Sequence, residues 1–202
     1  MSTINEVEKY QWHVDEMRRL AKQEPRTNIL GKEFLIYPEV FHPDHWDEIV
    51  AVGNAELLKV VKEEALGKSD EDSFDFLEVG CGAGYTAVLV ALVISLCRVW
   101  ATDINDIAVE NTIENAKIHQ VDDRLKAVTA NVFDHKEISG KKFDMVYWDF
   151  PWFGQHTEPG TQLEKLMRSI IDPGYQNFRN YLSQAKEALK KSGIKNLCFV
   201  FL

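Results

Sequence analysis

The 202 residues, 45% of them hydrophobic and 27% charged, have the length and composition of a single soluble domain with a sizeable core. A net charge of −9 repels phosphate backbones and disfavours a nucleic-acid substrate; the basic pairs Lys141-Lys142 and Lys190-Lys191 read as solvated ends of elements. Cys81, Cys97 and Cys198 lie far apart with no Cys-x-x-Cys, which argues against a metal ribbon and suits a reducing compartment. The N-terminus is charged and lacks an apolar signal region, and the run 87–96 is too short to span a bilayer, so a cytoplasmic protein without membrane contact is expected.

In chain order, Asn5–Lys22 reads as a charged amphipathic helix, with Val7, Tyr10, Trp12, Met17 and Leu20 as apolar contacts. Residues 29–41 read as a β-like segment broken by Pro38, and 42–66 as a helix that Pro43 starts. A polar turn, 67–73, follows. From Phe74 strands and helices alternate: strand 74–79, helix 84–96, strand 98–103, helix 106–119, strands 125–130 and 143–148, a helix near 174–191, and a strand 196–202. Such alternation implies an α/β, Rossmann-like doubly wound fold with a mainly parallel sheet. The expected division is an N-terminal helical extension, 1–28, and a ligand-binding domain, 29–202.

The ends of the strands carry the chemistry. Strand 74–79 includes Glu78 and runs into Gly80-Cys81-Gly82-Ala83-Gly84, a turn whose glycines admit close backbone approach, followed by a helix N-terminus with free N–H groups. The second strand ends at Asp103, 19 residues past Gly84, where a carboxylate is placed for ribose hydroxyls, with Ile104 beside it. The third ends near Asn131-Val132 and the fourth in Asp149-Phe150-Pro151-Trp152. Open α/β sheets bind ligands at these C-terminal ends.

This series resembles the class I S-adenosylmethionine (SAM)-dependent methyltransferases, and within them the branch holding release-factor glutamine N5-methyltransferases and amino-methylating adenine enzymes. Gly31–Ile36 with Val40-Phe41-His42-Pro43 is similar to that branch's segment before the core. Ala108–Ala116 resembles its second helix, and Asp172-Pro173-Gly174-Tyr175 its helix before the fifth strand. The chain departs from the pattern at Phe150, which replaces the first proline of the Asn/Asp-Pro-Pro-aromatic signature, and at Asp149, which stands where the glutamine enzymes carry Asn. Only residues 1–28 stand in place of the helical domain that binds release factors.

The resemblance implies SAM as cofactor, with Glu78 toward its amino group, Gly80, Cys81, Gly82 and Gly84 forming the loop, Asp103 and Ile104 at the ribose, and Asn131 and Val132 at the adenine. Asp149 and the Phe150 carbonyl would accept hydrogen bonds from an acceptor N–H, Pro151 would stiffen the turn, and Trp152 would offer a flat face. The acceptor class is then an amide or amine nitrogen of a small molecule or protein side chain. Adenine methylation in nucleic acid and a catalytically silent SAM-binding subunit remain as alternatives. No metal is expected, since His42 and His45 lack a third ligand; His42 is assigned to the pocket wall by the resemblance. Gln155 and His156 either line the acceptor pocket or form an ordinary polar loop, while Tyr10 and Trp12 either pack on the sheet or form a lid. The family's C-terminal β-hairpin is not apparent, so the apolar strand 196–202 would form an edge needing cover from a homodimer or a partner domain.

Overall fold

The computed structural model describes residues 6–68, 72–190 and 196–198, the last as backbone. A five-stranded sheet in the order β5-β4-β3-β6-β7 carries the fold. Its strands are β3 (Phe74–Val79), β4 (Cys97–Asp103), β5 (Leu125–Thr129), β6 (Met145–Trp148) and β7 (Asn196–Cys198). All four neighbour pairs are parallel. Ahead of them stand α1 (Glu6–Gln23), an antiparallel hairpin of β1 (Arg26–Ile29) and β2 (Lys32–Leu35), and α2 (Asp47–Leu66); between and after the strands come α3 (Tyr85–Val93), α4 (Asp106–Ile118) and α5 (Gln176–Ala188).

Alternation along the strands sorts the core into two layers. Phe74 and Phe76 of β3, Val99 and Ala101 of β4, and Met145 and Tyr147 of β6 pack with α2, α3 and α4. Leu77, Val79, Val146 and Trp148 point the other way, onto Tyr181 and Ala185 of α5 and onto Phe133 and Ile138. Both faces of β3 are buried along its whole length, as a central parallel strand requires. Because the chain leaves β3 toward β4 and β6 returns on its other side, the carboxyl ends of β3 and β6 border a topological switch point, where such sheets form a crevice.

Several boundaries differ from the sequence reading. The segment 29–41 is in fact a hairpin starting at Arg26, turned by Leu30 and Gly31 with φ of 51° and 79°. Helix 42–66 divides into a 3-10 turn, Pro43–Trp46, and α2. Helix 84–96 stops at Val93 because Ile94 is extended, feeding β4 one residue earlier than expected. Phe143 meets only an isolated bridge to Leu189, and a 3-10 turn over Pro173–Tyr175 precedes α5. The expected C-terminal strand is seen over Asn196–Cys198 at the β6 edge; 199–202 lie outside the described residues.

Two buried amides on α4 join the N-terminal segment to this core. Asn115 Oδ1 accepts the Leu35 N–H at 2.9 Å while its Nδ2 donates to Leu35 O and Ala83 O, both at 2.8 Å. One turn earlier, Asn111 Oδ1 accepts the Tyr37 N–H at 2.8 Å and Nδ2 donates to Leu35 O at 2.9 Å. Both side chains are 0% exposed, so each bond is made in a low-dielectric interior where an unmet partner is costly. Asn115→Ala strands the Leu35 N–H and the Ala83 carbonyl, leaving Leu35 O only its bond from Asn111, and is expected to lower unfolding free energy by about 2–4 kcal/mol. Denaturant unfolding checks it; a loss under about 0.5 kcal/mol, the range of a neutral surface change, would show that the amide does not hold the hairpin.

Candidate active site

The residues expected at the cofactor and in the Asp149–Trp152 motif converge on one pocket above the carboxyl ends of β3, β4 and β6, and every one of these lines it except Gly84. Gly84 acts on the turn itself. Its φ is 76°, and a Cβ there would stand 2.6 Å from Thr112 Cγ2, so only glycine lets α4 approach the loop. Gly80, φ 65°, leaves room for the Trp148 indole, whose Nε1 a Cβ would meet at 2.5 Å. The loop is tied to β4 by Cys81 N–H to Thr102 O at 2.9 Å. Cys81 is buried and receives the Thr112 hydroxyl on its Sγ at 3.2 Å; burial pushes its thiol well up, so it fills the turn as an unreactive neutral group.

Asp103 does more for the loop than its spacing suggests. Its Oδ2 accepts the Gly82 N–H and its Oδ1 the Asn105 N–H, both at 2.9 Å, while burial pushes its carboxyl up. Asn105 in turn caps α4 by accepting the Ile107 N–H and donates Nδ2 to Glu39 O at 2.7 Å, bringing Glu39 to the pocket wall. Glu78 is 4% exposed and accepts the Ala87 N–H at 2.9 Å in the first turn of α3. Burial, reinforced by the negative charges of Asp149 and Asp103, raises it well above the carboxylate range. Val132 holds φ at 60°, a costly conformation for a β-branched residue; the Thr102 hydroxyl donates to its carbonyl at 3.1 Å and helps maintain it. Asn131 lies beside it, exposed at the pocket.

Asp149 opens onto the cavity yet is ringed by protein, and this enclosure pushes its carboxyl from 3.8 to about 6, with the Trp152 indole N–H donating to it and pulling the other way. Aromatic rings surround this corner: Trp152 lies 5.6 Å from Trp46, which stacks on Phe41 at 5.5 Å and 11°. Phe150 stacks on Phe178 of α5 at 4.3 Å, which fixes the motif turn against the second core layer. No ion pair is made by Glu78, Asp103 or Asp149 among the described residues.

Other expectations fall elsewhere. His42 is 0% exposed and off the pocket wall, with Nε2 bonded to Glu24 O at 2.9 Å; it is a core residue under the 3-10 turn, which corrects the pocket-wall assignment. Gln155 and His156 are exposed and do not line the pocket. Tyr10 packs, stacking on Phe153 at 3.9 Å, while Trp12 stays 63% exposed. The described residues contain no cluster of three His, Cys, Asp or Glu side chains able to hold a metal, and no helix among them is long and apolar enough to cross a membrane. Sequence reading missed Glu39, Trp46 and Arg168 as wall residues. Asn105 was findable as an N-cap following the second-strand acid; the others carry no local signal, because distant segments bring them to the pocket.

Comparisons with known proteins bear on the same region. The chain is 31% identical to the release factor glutamine methyltransferase of Aquifex aeolicus over 149 residues, covering 74% of this chain and 47% of that protein. It is 27% identical to a bifunctional methyltransferase of Rickettsia felis over 207 residues, covering 88% of this chain and 39% of that one. The chain thus spans less than half the length of these curated relatives. Among solved structures, the hMettl16 catalytic domain superposes with a TM-score of 0.55 at 14% identity, covering 88% of this chain and 63% of that one, which is a likeness of fold. The sequence model described as a methyltransferase domain matches residues 70–194, the stretch that holds β3 through α5 with Glu78, Asp103 and Asp149, and on that match the chain belongs to the methyltransferase domain family, with the Rossmann-like fold of SAM-dependent methyltransferases.

Proposed function

We propose that this protein transfers a methyl group from SAM to an amide or amine nitrogen of a small molecule or a protein side chain. The observation that carries the reading is the set of three carboxylates, Glu78, Asp103 and Asp149, that converge on one pocket without an ion pair among the described residues. Burying like charges together is unfavourable unless a cation arrives to compensate them. SAM has the required chemistry, since it carries an ammonium and a sulfonium whose methyl is electrophilic. The names of the Aquifex aeolicus and Rickettsia felis relatives support methyl transfer, and the first supports a side-chain amide as acceptor.

The residues divide the work. Glu78 faces the ammonium beside the glycine loop. Asp103 receives the ribose hydroxyls while holding Gly82 and Asn105 in place, and the strained Val132 presents its backbone and side chain to the adenine, with Asn131 at the edge. Asp149, oriented by the Trp152 indole N–H, and the Phe150 carbonyl accept hydrogen bonds from the acceptor N–H. That leaves the nitrogen lone pair directed at the cofactor and stabilises positive charge developing on it. Pro151 offers no competing N–H in this turn, and the rings of Phe41, Trp46 and Trp152 exclude water. Asp149, standing where the glutamine enzymes carry Asn, is the form that suggests the adenine alternative, and the −9 charge disfavours adenine in nucleic acid.

Asp103→Ala removes a charged acceptor and frees the loop, and is expected to weaken SAM and S-adenosylhomocysteine binding at least about tenfold, the loss of a charge-assisted hydrogen bond. Calorimetric titration checks this; unchanged affinity would reject the ribose assignment.

Asp149 gives a paired prediction. Its acceptor-binding form is ionised, so kcat/KM is expected to fall as pH drops through about 6. Because the fold raises this carboxyl, the neutral form is the better tolerated one: its stabilising contribution is present below 3.8 and lost as pH rises through about 6. Asp149→Asn, neutral throughout, is therefore expected to raise the melting temperature at neutral pH while cutting turnover about 100-fold with SAM affinity kept. Loss of SAM affinity with turnover retained at saturating SAM would reverse the assignment of the two sides of the pocket.

A further inference from the structure

The pocket changes character along its length. Besides the carboxylates and the aromatic rings, its lining includes the segment between the Asp149–Trp152 turn and α5, and that segment carries Lys165 and Arg168. Lys165 is exposed and paired with Asp106. Arg168 is half-buried; its Nε donates to Leu163 O at 3.2 Å, and its guanidinium meets no carboxylate among the described residues. In a protein of net charge −9 an unpaired guanidinium on a pocket wall is conspicuous, since Arg18 one layer away holds both Glu39 and Glu164.

Its position is fixed from both sides. Arg168 sits in a 3-10 turn, Met167–Ser169, whose neighbours Leu166, Met167, Ile170 and Ile171 are at most 3% exposed and pack on Val14 and Met17 of α1. The same segment is bonded to the motif turn by Phe153 N–H to Ile170 O at 3.0 Å and Asp172 N–H to Phe153 O at 2.8 Å. The backbone at Arg168 is therefore held in fixed relation to the Asp149–Trp152 turn, and Arg168, Trp46 and Trp152 line the same pocket. A guanidinium so preorganised presents a planar fork of donors, matched to a carboxylate or another planar oxyanion.

We propose that Arg168 sets acceptor specificity by binding the anionic end of a small, planar acceptor whose nitrogen lies at Asp149. This rests on the methyltransferase reading above. A small acceptor is favoured over a protein loop because α1, the turn bearing Glu39 and the segment bearing Arg168 are clamped together by the Arg18 guanidinium, at 2.6 Å from Glu39 and 2.9 Å from Glu164, narrowing this end.

The test uses binding and needs no turnover. The protein saturated with S-adenosylhomocysteine is titrated with benzoate and with benzamide, its neutral isostere, following tryptophan fluorescence, to which Trp46, Trp148 and Trp152 of the pocket contribute. Benzoate is expected to bind at least about tenfold more tightly than benzamide, the difference made by a charge-assisted hydrogen bond. Arg168→Gln is expected to abolish that difference and Arg168→Lys to restore part of it, both with S-adenosylhomocysteine affinity unchanged and a wild-type melting temperature. Equal affinities, no binding of either probe, or a benzoate preference surviving in Arg168→Gln overturns the proposal. A drop in S-adenosylhomocysteine affinity in Arg168→Gln overturns it too, by assigning the residue to the cofactor. Failure of the wild-type protein to bind S-adenosylhomocysteine rejects the methyltransferase reading instead.

Discussion

The two ends of the parallel sheet treat carboxylates in opposite ways. At the amino ends of β3 and β6, Asp75 and Asp144 are neutralised: Asp75 meets Arg98 at 2.6 Å and Lys190 at 2.7 Å, and Asp144 meets Lys190 at 2.9 Å and Lys68 at 2.8 Å. At the carboxyl ends Glu78, Asp103 and Asp149 receive N–H donors and no cation among the described residues. Hydrogen bonds from backbone and indole relieve part of the desolvation cost, and burial still raises all three carboxyls. The amino end is a stabilising structure. The carboxyl end leaves raised carboxyls without a cation among the described residues, the trade between stability and function that the proposed cationic ligand would resolve.

The remaining architecture serves that end. The amides of Asn111 and Asn115 fasten the hairpin to α4 and, through Ala83, to the glycine loop, so one short helix face sets both the glycine turn and the segment leading to Glu39 and Phe41. The N-terminal helix closes the opposite side through its apolar contacts with Leu166, Met167 and Ile170 and through the Arg18 clamp. These couplings explain why a pocket can be assembled from residues between 39 and 177 without a metal or disulfide among the described residues.

The sheet and the carboxylates at its end were legible in the sequence because both rest on local rules. An apolar strand, a glycine turn and an apolar helix are adjacent in the chain, and a carboxylate at a strand's end must appear at the crevice once strands are parallel. The hairpin was misread because its two-residue turn puts Leu30 at a φ of 51°, where an Asn-Gly signal would have marked it. Trp46 and Arg168 were invisible as wall residues for a different reason: their placement depends on packing between α1 and a segment some 150 residues away, and no periodicity reports such a contact. His42 was misassigned because a histidine beside a proline in a pocket-forming segment says nothing about which way its ring turns; here it turns into the core toward Glu24 O.

The central claim is that a cation completes the three carboxylates, and proton counting tests it most directly. Glu78 carries a proton more readily in the free protein than an ordinary carboxyl does, and a bound ammonium favours its ionised form. SAM is titrated into the protein by calorimetry at pH 6 in buffers of different ionisation enthalpy. The account predicts that binding releases protons, and that the release shrinks in Glu78→Gln. Binding with no proton release, or with net uptake, would contradict it.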